Sequence, residues 1–155
     1  MADDFLRKVA LFSGLTDEEF TGLAALTRNR EYKKGTFIVL AEDVGDEFFI
    51  IRKGWVKVNI VHEDGREVIF SMLGPGQVFG ELALLTGDVR QATVRALGDT
   101  VCFSIARQDL FAITSEDIAL GNKVLWGFLR QMGDKVKGLL GRLTELELSQ
   151  SRQGP

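Results

Sequence analysis

Three kinds of residue that could together hold a partly anionic ligand crowd into one stretch, Gly74 to Val94: glycines at 74, 76 and 80, the carboxylate of Glu81 and the guanidinium of Arg90. A missing Cβ lets a backbone turn tightly and come close to a ligand. Glu81-Leu82-Ala83-Leu84-Leu85 is rich in helix formers, so Phe79-Gly80-Glu81 predicts the start of a short helix with unpaired N–H groups facing outward. Such a start favours phosphate. A negative ligand there would repel Glu81 unless the carboxylate served an uncharged part of it. A ribose hydroxyl suits, because an ionised carboxylate only accepts hydrogen bonds and a hydroxyl donates one. Arg90 supplies the positive charge, with a planar fork that reaches two phosphate oxygens. Singly, a glycine turn is usually a turn and an arginine is usually solvated; together the three describe a sugar-phosphate site.

Phe79-Gly80-Glu81-Leu82-Ala83-Leu84-Leu85, a short loop, and Arg90-Gln91-Ala92-Thr93 resemble the phosphate-binding cassette of the cyclic-nucleotide-binding domain. That module occurs in catabolite activator proteins, protein kinase A regulatory subunits and cyclic-nucleotide-gated channels. The resemblance implies that Glu81 binds the ribose 2′-hydroxyl, that Arg90 binds the cyclic phosphate, and that the backbone from Gly80 to Ala83 lines it. Phe79, Leu82, Gln91 and Ala92 complete the implied nucleotide-binding set. Asp43 to Ile51, followed by Gly54, is similar to the family's Gly-Asp-x-Gly-Asp turn and its following strand, with Glu42 where the family has its first glycine. A non-glycine residue there costs energy if φ is positive; it reads as a local variation that leaves the phosphate site alone.

The implied function is a sensor or regulatory module without catalysis of its own, taking cyclic AMP or cyclic GMP as ligand and no catalytic cofactor. Members favouring the guanine nucleotide often carry a threonine directly after the arginine. Gln91 stands there, which tilts the expectation to cyclic AMP. In the family the C-terminal helix moves over the base as a lid. This helix has no diagnostic lid motif, so Arg130, Asp134 and Lys135 are lid candidates by position alone, with a solvated polar face the plainer reading for each.

These residues need a scaffold. Phe5 to Phe12 has helical spacing up to a Ser13-Gly14 break. Thr16-Asp17-Glu18-Glu19 reads as a capping box opening a second helix from about 17 to 27, with Leu15 placed to staple onto Phe20. From Tyr32 the period shortens: 36–40, 47–52, 55–61, 67–73, 92–96 and 101–105 read as strands, with Asp64-Gly65 as a hairpin turn. Many short strands with close turns predict an antiparallel β-roll, jelly-roll-like, in an α+β domain. The segments fall at 1–30 (helical), 31–108 (roll, cassette 74–94), 109–149 (C-terminal helices) and 150–155 (tail), in one domain overall.

Thr114 to Asp117 supplies an N-cap for a long helix expected to end near Ser149. Along it Leu125, Leu129, Met132, Val136, Leu139, Leu143 and Leu146 follow at spacings of four and three, a heptad seam that most simply meets the same helix of a second subunit in a parallel homodimer. The competing reading is one amphipathic helix on its own domain. A separate set, Leu120, Val124 and Phe128, could face the roll and leave the seam to a partner.

The 155 residues suit one domain, with 45% hydrophobic and 26% charged content. A net charge of −3 lacks the basic field of a nucleic-acid binder, so an anion must be held locally. Cys102, the only cysteine, excludes an internal disulfide and reads as a buried apolar residue. One histidine, His62, disfavours a metal-dependent enzyme on a β-barrel, which needs several converging ligands. No run nears the roughly 18 apolar residues of a membrane span, and the start lacks a secretion signal; the cytoplasm is the expected location. A helix-turn-helix would need more than Gln150 to Pro155 after the long helix, so a transcription factor is expected only if this is a fragment; a kinase or channel fragment fits equally. The remaining alternative, a nucleotide-free interaction domain, would be expected to lose the charge at 81 or 90. A downstream protein partner is compatible with the sensor reading.

Overall fold

A computed structural model describes residues 3–154; Met1, Ala2 and Pro155, at the ends of the expected terminal segments, lie outside the described residues. The chain runs through α1 (Asp3–Arg7), a 3₁₀ turn at Ala10–Phe12 and α2 (Asp17–Ala24) into eight strands. These are β1 (Arg28–Tyr32), β2 (Phe37–Val39), β3 (Glu47–Lys53), β4 (Val56–Val61), β5 (Glu67–Leu73), β6 (Val78–Phe79), β7 (Thr93–Ala96) and β8 (Thr100–Ala106). Helix α3 (Glu81–Thr86) interrupts them, and α4 (Arg107–Glu116) and α5 (Ile118–Arg152) close the chain. None of the described helices is long and apolar enough to cross a membrane.

The strands form two four-stranded antiparallel sheets, ordered β1-β8-β3-β6 and β2-β7-β4-β5. This is the expected antiparallel roll. Side chains alternate across a strand, and β3 shows why it reads as an unbroken apolar run. Phe49 and Ile51 point between the sheets, where they meet Val39, Val56, Val94 and Cys102. Phe48 and Ile50 point the other way into a helical layer with Leu11, Phe20, Leu110 and Phe128. With both faces covered, the run from Phe48 to Ile51 is apolar at every position. Each such side chain contributes about 1.5–3 kcal/mol on full burial. Phe48 meets Phe128 of α5 edge-on, with ring centroids 5.4 Å apart, so the long helix is bolted to the sheet next to the site.

Several boundaries differ from the sequence reading. The single helix expected over Phe5–Phe12 is broken after Arg7, and the 3₁₀ turn buries the adjacent residues Leu11 and Phe12 together, which one continuous α-stripe would not do. α2 stops at Ala24 rather than 27, and the chain is already in β1 at Arg28. The capping box forms as expected: Glu19 N–H donates to Thr16 Oγ1 at 3.2 Å, and Thr16 N–H donates to Glu19 Oε1 at 3.1 Å. At the other end Asp117 Oδ1 accepts from Leu120 N–H at 3.0 Å to cap α5, which continues to Arg152, past the expected stop. Leu120, Val124 and Phe128 are buried against the domain, as their spacing suggested.

Candidate functional site

The site is assembled where β6 leaves its sheet. Phe79 pairs with Phe49 in register and stacks on it at 4.9 Å between centroids. The chain then turns at Gly80, whose φ of 83° is the N-cap of α3. A side chain at 80 would be strained at that φ, and its Cβ would sit 2.5 Å from Arg90 Nη1. Ala83 and Leu84 are buried and anchor α3, and Gly87 closes it in the left-handed region with its N–H on Ala83 O. The short helix thereby points its first turn, and Glu81, inward.

Glu81 is only 3% exposed and Arg90 6% exposed, uncommon for charged groups unless they are partnered. Both line one cavity of about 490 Å³, a size suited to a nucleotide-like ligand. Its polar wall holds Gly80, Glu81, Ala83, Arg90, Gln91 and Ala92. Its apolar wall comes from the second sheet and includes Val39, Val58, Phe70 and Leu73. Phe79 and Leu82 complete the set of predicted ligand residues on the cavity wall.

Arg90 donates from Nη1 to Gly80 O at 2.9 Å and from Nη2 to Glu47 O at 2.6 Å. Burial lowers its pKa from the ordinary value, and the carboxylates of Asp46, Glu47, Glu81 and Asp43 push the other way. Its backbone is clamped as firmly: Arg90 N–H donates to Asp43 O at 2.8 Å and Glu42 N–H donates to Arg90 O at 2.9 Å. Gly45 lies against Ala83, so closely that a Cβ there would collide with it. Glu42 reads in the sequence as a local variation that leaves the phosphate site alone; the turn that carries it is joined to Arg90 by two backbone hydrogen bonds. The turn's backbone is the clasp that positions Arg90, and Glu42 holds a φ of 74° to make it.

Glu81 carries a partner that spacing did not reveal. Lys135 of α5 donates from Nζ to Glu81 Oε1, and also to Val78 O at 3.0 Å. Two turns further along the same helix, Arg142 donates to Phe70 O, with its guanidinium 5.5 Å from the Phe70 ring centroid. Lys135, Arg142, Met132, Val136 and Leu139 line the cavity from α5. Of the three positional lid candidates only Lys135 does so; Arg130 and Asp134 are exposed and lie off the wall. Arg142 was missed, although its place seven residues after Lys135 puts the two on one helix face. The heptad seam is divided: Met132, Val136 and Leu139 line the cavity, whereas Leu125, Leu129, Leu143 and Leu146 do not; all but Met132 are exposed.

His62 lies on the exposed β4–β5 hairpin, where Asp64 N–H donates to its Nδ1 at 3.3 Å. Among the described residues no group of three or more His, Cys, Asp or Glu side chains is placed to hold a metal ion.

The family model described as the cyclic nucleotide-binding domain matches residues 29–117, the roll, the cassette and α4. The chain belongs to the cyclic nucleotide-binding domain family. A cAMP-dependent protein kinase regulatory subunit of Blastocladiella emersonii is 36% identical over 108 residues, which cover 70% of this chain and 27% of that protein. The crystal structure of the Thermus thermophilus catabolite activator protein superposes with a TM-score of 0.75 at 28% identity, over 89% of this chain and 63% of that one. A cyclic nucleotide-binding domain from Methylobacillus flagellatus shares the fold, with a TM-score of 0.84 at 21% identity over 93% of this chain and 85% of that one. This cyclic nucleotide-binding domain thus spans only about a quarter of the kinase regulatory subunit it resembles.

Proposed function

We propose that this domain is a sensor that binds a 3′,5′-cyclic nucleotide, cyclic AMP in preference to cyclic GMP, and performs no catalysis itself. One observation carries the reading: a buried guanidinium and a buried carboxylate, Arg90 and Glu81, line the same nucleotide-sized cavity. The cyclic phosphate sits at the Gly80–Ala83 backbone, where the helix start and Arg90 both favour negative charge. The ribose 2′-hydroxyl donates to Glu81. The base lies against the apolar wall, under Val136 and Leu139 of α5. Gln91 supports the adenine preference, since no threonine hydroxyl stands beside Arg90 to meet a guanine amino group.

Ligand shifts α5 to the extent that it binds one arrangement of that helix better than the other. The signal passes along α5 to a second copy of the chain, through the exposed leucines of the seam, or to a downstream protein. Calorimetric titration of the chain with each nucleotide tests the reading, with cyclic AMP expected to bind more tightly. Arg90→Ala is expected to weaken binding by about 2–3 kcal/mol, a desolvated phosphate having lost its charge partner. Because Arg90 also ties Gly80 and Glu47, a thermal melt of the variant must show it folded. A folded Arg90→Ala protein with unaltered affinity would overturn the proposal.

A further inference from the structure

Resting on the reading that Glu81 accepts from a ribose hydroxyl, we infer that Lys135 is a built-in competitor for that carboxylate, which the ribose hydroxyl displaces on binding. The ammonium of Lys135 holds Glu81 Oε1 from inside the cavity and is steadied there by Val78 O at 3.0 Å. Glu81 is almost wholly buried, whereas the Lys135 side chain is about one-third exposed. The carboxylate is therefore immobile and the lysine is the partner able to leave. A hydroxyl arriving at Glu81 exchanges one hydrogen-bond donor for another, and the gain at Glu81 is the difference between the two donors. The donor given up is a charged one, and such bonds are the stronger class.

Two consequences follow from the geometry. The cavity exists with α5 lying across it, so α5 need not vacate the site to admit a ligand. With the hydroxyl taking the Oε1 position, what moves is the Lys135 side chain, and with it goes one of the polar contacts, Lys135 and Arg142, by which this part of α5 holds the roll. Nucleotide binding thereby loosens α5 at one defined point. A nucleotide without the 2′-hydroxyl leaves the pair in place, so the exchange is specific to ribose.

The test measures the affinity of the full chain for cyclic AMP and for 2′-deoxy cyclic AMP in wild type, Lys135→Met and Lys135→Arg. Lys135→Met removes the competitor and is expected to bind cyclic AMP about tenfold more tightly while leaving 2′-deoxy cyclic AMP unchanged. Lys135→Arg keeps a cation in place and is expected to stay near wild type in the ratio of the two. Lys135→Gln tests the same exchange, with the same sign, should the methionine variant not fold. Weaker or unchanged cyclic AMP binding in Lys135→Met overturns the inference and leaves the cyclic-nucleotide reading standing. Equal tightening for both nucleotides also overturns it, since that would be a general effect of loosening α5. If neither wild type nor Lys135→Met binds either nucleotide, both proposals fall. A wild type that binds neither, beside a methionine variant that binds cyclic AMP, supports competition.

Discussion

An arginine has five N–H donors, and Arg90 commits two of its nitrogens to the carbonyls of Gly80 and Glu47. Those two bonds fix the plane of the guanidinium, and under the proposed function its remaining donors meet the phosphate. Such preorganisation reduces the ordering cost of binding. A lysine at 90 could keep the charge but not the fork. At the same scale Cys102 reports on the core rather than on the site. It lies wholly buried between the two sheets, and burial pushes its thiol up to about 12. Since the thiolate is the reactive form, iodoacetamide should leave Cys102 untouched in the native protein and modify it as urea unfolds the chain. Fast labelling without denaturant, read by mass spectrometry, would show that the inter-sheet core opens locally. The flanking apolar residues Val101 and Phe103 made this burial legible in the sequence.

Among the elements, the turn from Glu42 to Gly45 is the one whose role the sequence obscured. Its departure from the family pattern was visible, but the hydrogen bonds it makes to Arg90 join residues almost fifty positions apart. The same bonds hold Glu42 at φ 74°, where an L side chain is strained. Glu42→Gly is therefore expected to raise stability by about 0.5–1 kcal/mol, the relief of strain exceeding the entropy that glycine adds to the unfolded chain. A higher urea midpoint at unchanged m-value would bear this out; a lower midpoint would mean that the Glu42 side chain contributes more than its backbone costs. Strands β1 and β6 were also hidden. β1 reads Arg28-Asn29-Arg30-Glu31-Tyr32, a polar sheet edge paired on one side only, and a two-residue β6 is too short for any alternation to show. The capping box was plain, but its second use was not: Glu19 also accepts from Lys123 Nζ at 2.6 Å, which ties α2 to α5.

Across the molecule, α5 is the element that does three things in turn. Its 35 residues extend roughly 50 Å: first buried against the roll, then lying over the cavity, then carrying leucines into solvent. Leu143 and Leu146 are 56% and 62% exposed, a costly display for a helix without a partner. Leu146→Glu should therefore shift the chain to monomer in sedimentation equilibrium while the cavity, whose last lining residue on α5 is Arg142, one turn back, keeps its affinity. A wild type that is monomeric at high concentration would remove the dimer. What the sequence determined by itself was whatever is local and periodic. Most of the strand and helix types and the glycine-bounded turn into α3 follow from steric freedom and side-chain period, which act over a few residues. Only the tertiary structure decided which donors those charges meet. Lys135 reaches Glu81 across 54 residues of chain and Arg142 reaches Phe70 across 72, because the packing of α5 onto the sheet sets both its angle and its rotation over the cavity. A heptad pattern states that a helix has an apolar face; it does not state which part of that face covers a cavity of its own domain and which part lies off it.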